Sequence, residues 1–199
     1  VLFPKTKENS HSISIDLQGE RINAEDARTL LNRFLSLLSW CDDRHAILRE
    51  GWSGNPVPVP VPRRDMASST MMTWMFYRSI PEEESLRNCL SYYREGLNAA
   101  EAGIASQEVL SFFKVFEMRR EGPEVRRWIE KEFDAACKNV QPEYLKRFDE
   151  DRQHKAIEKY VYENCRVAAA HASKKFQSDA DMDFETRRLS VAAEILRAL

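Results

Sequence analysis

Leu86-Arg87-Asn88-Cys89-Leu90-Ser91-Tyr92-Tyr93-Arg94-Glu95-Gly96-Leu97, residues 86–97, decides the fold class. Its apolar residues Leu86, Cys89, Leu90, Tyr93 and Leu97 recur every three or four positions. That period places them on one face of an α-helix and fits no strand. Moving toward the C-terminus, Val109, Phe112, Phe113 and Phe116 form a second such stripe. Val125, Trp128, Ile129, Phe133 and Ala136 form a third, opened by Gly122-Pro123. Pro142 is expected to start a fourth, long helix reaching Ala172, with Ile157, Tyr160, Val161, Asn164, Ala168 and His171 as its best stripe. The polar, acidic stretch 177–183 reads as a loop, and Asp183 is expected to cap a last helix through Leu199. The fold class is therefore mainly α, with an antiparallel helical bundle over residues 81–199.

Toward the N-terminus, residues 1–80 read as a smaller α/β segment. Ser12 to Leu17 alternates as a half-buried strand, and Ala46 to Trp52 suits a second short one. Asn23, with Asp26 three residues on, has the form of an N-cap for a helix from Ala24 to Asp43. That helix carries Leu30, Leu31, Phe34, Leu35, Leu37 and Leu38, too wide a set for one stripe, so it is expected to be buried on most sides. The alternating prolines of Pro56-Val57-Pro58-Val59-Pro60-Val61-Pro62 fix φ and remove every second N–H donor, which predicts an extended surface arm.

Composition narrows the function. The 30 basic and 32 acidic residues nearly cancel, giving a net charge of −2, which excludes a strongly basic nucleic-acid coat but not a local basic patch. No apolar run is long enough to predict a spanning helix, and no basic start with an apolar core predicts a signal peptide. The four cysteines, Cys41, Cys89, Cys137 and Cys165, are widely spaced and form no C-x-x-C, so they read as reduced core thiols of a cytoplasmic protein. The phosphate-cradling glycine loops, the H-E-x-x-H zinc motif and the Gly-x-Ser-x-Gly elbow are all absent. Cys41 and His45 have i, i+4 spacing but lack two further ligands nearby, so neither a metal nor a cofactor is expected.

One stretch offers chemistry: Arg166-Val167-Ala168-Ala169-Ala170-His171. An arginine followed after four residues by a histidine, late in a helical bundle, resembles the R-x4–6-H motif of the HEPN superfamily. Arg147 and His154 also match, with six residues between. Tyr92-Tyr93-Arg94-Glu95-Gly96-Leu97, Leu110-Ser111-Phe112-Phe113-Lys114-Val115-Phe116-Glu117 and Val167-Ala168-Ala169-Ala170-His171-Ala172, together with Asn32-Arg33-Phe34-Leu35-Ser36-Leu37-Leu38-Ser39-Trp40, resemble the bacterial methylamine-utilisation proteins MauJ.

The HEPN resemblance implies a homodimeric, metal-independent endoribonuclease, with Arg166 and His171 as catalytic residues. Family members often follow the arginine with a polar residue; here Val167 stands there, and Asn164, on the same expected face as His171, is the polar candidate. Histidine titrates near neutrality and can move protons, while arginine stays charged and grips phosphate. On an ideal helix Arg166 and His171 point about 140° apart. The strip of Glu163, Val167 and Ala170 lies between them and is small enough at 167 and 170 for the same helix of a second copy to approach. Candidate RNA-binding pairs are Arg63-Arg64 and Arg187-Arg188, with Arg119-Arg120 and Arg126-Arg127 as further basic pairs. Expected partners are a second copy, RNA, and an antitoxin or other protein, with no membrane. The alternative is a non-catalytic HEPN-like dimerisation or interaction module with a regulatory or accessory role.

Overall fold

A computed structural model describes residues 2–3, 12–48, 79–171, 179 and 181–199. The Pro56–Pro62 arm, Arg63 and Arg64 lie outside the described residues. Seven helices are present among the described residues: α1 Ala24–Asp42, α2 Glu84–Glu101, α3 Ala105–Glu117, α4 Gly122–Ala136, α5 Pro142–Arg152, α6 157–170 and α7 Asp183–Ala198. A two-residue pair, β1 Leu2–Phe3 and β2 Ser12–Ile13, runs antiparallel. The strand expected to reach Leu17 stops at Ile13, because Asp16 accepts the N–H groups of Gln18 and Gly19 and turns the chain. Ala46 to Leu48, expected to begin a strand, carry no regular secondary structure.

The helices start where local chemistry favours it. The Asn23 side chain accepts the Asp26 N–H at 2.8 Å, capping α1 as its sequence implies. Glu121 and Glu124 form a reciprocal capping box at α4, with Pro123 in its first turn. The core is the apolar stripes facing one another: Val109, Phe112 and Phe113 from α3, Val125 and Ile129 from α4, Phe148 from α5, and Ala192, Ile195 and Leu196 from α7. α3 is central, packing on α2 and on α7, while α1 lies along α2. The approach of α2 to α3 is close: a Cβ on Gly96 would sit 2.6 Å from the Phe112 ring, so only glycine fits.

Three expectations need correction. α1 is not buried on most sides: Leu30 and Trp40 are exposed, and only Ala27 and Ser36 to Ser39 are buried. The Trp40 ring is still used, meeting Tyr93 edge-on at 4.9 Å. The long helix from Pro142 is two helices, because Gln153 and His154 both take positive φ (48° and 65°) and break the ladder. Asp183 is the first residue of α7 and not its cap; Met182 stands at the cap without a side-chain hydrogen bond.

α6 is itself irregular. Ile157–Lys159 and Ala168–Ala170 are α-helical, while Tyr160–Val167 between them is π-helical. Arg188 of α7 accounts for the wider turns. Its guanidinium donates to the Asn164 carbonyl at 2.9 Å, an acceptor the α-helical ladder would give to its own backbone. The same nitrogen reaches the Tyr160 hydroxyl and the Cys165 sulfur. Glu185 neutralises it at 2.7 Å. α7 thus pins α6 through a buried, charge-balanced anchor.

Candidate functional site

The candidate residues lie at the C-terminal end of α6. Arg166 closes the π-helical stretch, and its guanidinium donates to Glu117 of α3 at 3.1 Å. It rests over two aromatic rings, 5.8 Å from the Tyr162 centroid and 5.9 Å from that of Phe113. The side chain is about a quarter exposed, and among the described residues this is its one hydrogen bond. A guanidinium carries five N–H groups, so donors remain for an added anion. The pairing with Glu163 or Tyr162 that sequence spacing allows is replaced by a bond across to α3, with Tyr162 as a stacking surface.

His171 ends the helix. Its backbone turns extended (φ −135°, ψ 121°), its N–H still bonds the Val167 carbonyl at 3.0 Å, and its side chain is exposed. The apolar stripe that would have buried it stops at Ala168. The angle of about 140° expected between Arg166 and His171 does not apply, since π turns advance less per residue and His171 has left the helix. Among the described residues no hydrogen bond joins Arg166 to His171. Val167 and Ala169 are half-buried and Ala170 is exposed, so part of the small-residue strip is open to solvent.

Asn164 is not brought to either residue. Its side-chain oxygen accepts from Lys155 at 3.3 Å, and its carbonyl is held by Arg188. Arg187 and Arg188 diverge: Arg187 is exposed and pairs with Asp183 at 2.9 Å, whereas Arg188 points inward. Arg119 pairs with Glu83 at 2.9 Å, and Arg120 lies 4.5 Å over the Trp128 ring. Of the second motif match, Arg147 lies within α5 and His154 lies in the left-handed turn that follows it.

Two features escape sequence reasoning. Arg126 of α4 lies 5.1 Å over the same Tyr162 ring that Arg166 covers. Glu108 of α3 is buried near Glu194 and Arg197, and burial together with Glu194 pushes its carboxyl up to about 8. The first depends on α4 meeting α6, the second on α3 meeting α7, so neither leaves a local signal. Cys165 is fully buried, and burial pushes its thiol up to about 12, as expected for an inert core thiol. The other three cysteines are free and half-buried. No group of histidines, cysteines and carboxylates suited to a metal ion occurs among the described residues. No helix among the described residues is long and apolar enough to cross a membrane.

The described residues form a mainly helical bundle. The chain belongs to the family described as Methylamine utilization protein MauJ, whose family model matches residues 89–199, from α2 through α7. No curated protein and no solved structure matches the chain.

Proposed function

We propose that this chain is a metal-independent endoribonuclease of HEPN type, acting as a cytoplasmic homodimer, with Arg166 and His171 as its catalytic pair. The observation that carries the reading is the exposure of His171 at the end of α6, five residues from an arginine that retains free donors. In this reading His171 takes the proton from a ribose 2′-OH as that oxygen bonds to phosphorus. The bond from phosphorus to the 5′-oxygen breaks, and His171 of the second copy, protonated, gives the leaving oxygen its proton. Arg166 holds a non-bridging phosphate oxygen while negative charge builds. The RNA supplies its own nucleophile, so no metal-activated water is required. Arg187, exposed on α7, is the remaining described member of the proposed phosphate contacts.

The test is the chemistry of the ends. Single-stranded RNA incubated with the protein and EDTA should yield 2′,3′-cyclic phosphate and 5′-hydroxyl termini. A 2′-deoxy substitution at the cleaved nucleotide should abolish the cut. Products with 5′-phosphates, or intact RNA, would overturn the reading.

The Arg166–Glu117 bond favours a second reading, in which Arg166 is structural and the chain is a dimerisation or interaction module. The family's link to methylamine utilization would then place it as an accessory or regulatory component, with another protein as its partner. Ala170→Trp separates seam from surface: in either dimeric reading it should give a monomer by light scattering with the fold intact.

A further inference from the structure

Two arginines share one ring. Arg126 comes from α4 and Arg166 from α6, and both guanidinium carbons lie within 6 Å of the Tyr162 centroid, at 5.1 and 5.8 Å. All three side chains are half-buried. Among the described residues one carboxylate, Glu117, forms an ion pair with the group, and it binds Arg166 alone. Among the described residues Arg126 has no hydrogen bond and no ion pair, and neighbouring Glu163 pairs with neither arginine. The cluster therefore carries two cations against one anion, beside an aromatic body that limits their hydration. Tyr162 lies under both guanidinium groups and 6.1 Å from the Phe113 ring, so its ring is common to both cations.

We propose that Arg126, held on the Tyr162 ring that Arg166 also covers, binds a backbone phosphate of single-stranded RNA next to the one that Arg166 grips. The inference rests on the ribonuclease reading and adds a positioning contact on α4 to it. The unpaired planar fork of Arg126 suits bidentate binding of a phosphodiester, and the ring limits the side-chain entropy lost on binding.

The experiment measures binding apart from cleavage. A fluorescent single-stranded 2′-O-methyl oligoribonucleotide, which lacks the free nucleophile, is titrated with the full chain across a range of salt and read by anisotropy. Arg126→Ala should weaken binding on the order of tenfold and make the slope of log affinity against log salt shallower by about 0.7, one phosphate contact to a single strand. Arg126→Lys should keep the slope while losing part of the affinity. Circular dichroism accompanies each variant, and Arg126→Gln replaces Arg126→Ala if that chain does not fold. Unchanged affinity and slope in the alanine or glutamine variant, or a wild type that does not bind the oligonucleotide, overturns the proposal. Binding lost at Arg126 in a protein that cleaves no RNA would leave this contact standing while the catalytic reading falls. Cleavage with unchanged Arg126 binding would do the reverse.

Discussion

Arg188 and Arg166 are two cations bound to the same helix, and they differ in almost every physical respect. Arg188 enters α6 from α7 and is 8% exposed; it spends its donors on Glu185, the Asn164 carbonyl, Tyr160 and Cys165. Arg166 projects from α6 and lies on Tyr162 and Phe113, with one hydrogen bond to a partly exposed glutamate. A guanidinium with its partners inside the fold sets the geometry of the helix. One with spare donors at the surface is free to act on something else. In sequence both are arginines in basic, helical surroundings, and only packing separates them.

Arg188→Ala would strand Glu185, 2.7 Å away, and release the Asn164 carbonyl, so chemical denaturation should reveal a loss of about 3–5 kcal/mol. Arg188→Met with Glu185→Leu should recover much of that loss, because an apolar pair leaves no orphaned charge. A cost below about 1 kcal/mol for Arg188→Ala would mean that the anchor does not hold α6.

Glu108 sharpens the contrast from a third position, between the two in expected effect. It is buried on α3, faced by Glu194 and Arg197 of α7, and Arg197 in turn binds Asp43. Its carboxyl titrates near 8 in the fold against an ordinary value of 4.5. Between those values the unfolded chain has released the proton that the folded chain retains. Stability should therefore fall as pH rises through that window and level off above it. Glu108→Gln should remove this slope and melt higher than wild type above pH 8, by about 2–4 °C for each kcal/mol gained. A melting temperature with the same pH slope in both proteins contradicts the assignment.

The smallest expected effect on stability belongs to Arg166. Its pair with Glu117 is partly solvated, so Arg166→Ala should cost no more than about 1 kcal/mol in the same denaturation. A loss as large as that of Arg188→Ala would make Arg166 a second structural anchor and favour the interaction-module reading.

The helical stripes were legible because burial imposes a 3.6-residue period: Val109, Phe112, Phe113, Val125 and Ile129 are all core residues. Asn23 announces α1 through its own short-range bond. The break after α5 has no such signal, since Gln153 and His154 adopt left-handed backbone without glycine or proline. The π-helical stretch is equally silent, because Arg188 lies 24 residues beyond the carbonyl it takes. The candidate pair Arg166 and His171 was readable as residue types, but the extended backbone at His171 and the ledge of Tyr162 and Phe113 were not. Arg126 stood in a basic pair with nothing to mark it from Arg127 until α4 was placed against α6.

In the proposed ribonuclease Arg166 and His171 are the reacting pair, and the most direct measurement is RNA cleavage in EDTA by wild type, Arg166→Ala, Arg166→Lys and His171→Ala, with circular dichroism on each. The expected result is cleavage by wild type, loss of about a hundredfold or more in both alanine variants, and partial activity in Arg166→Lys, whose ammonium lacks the planar grip on phosphate. Cleavage that survives His171→Ala, or that appears only with added magnesium, would contradict it.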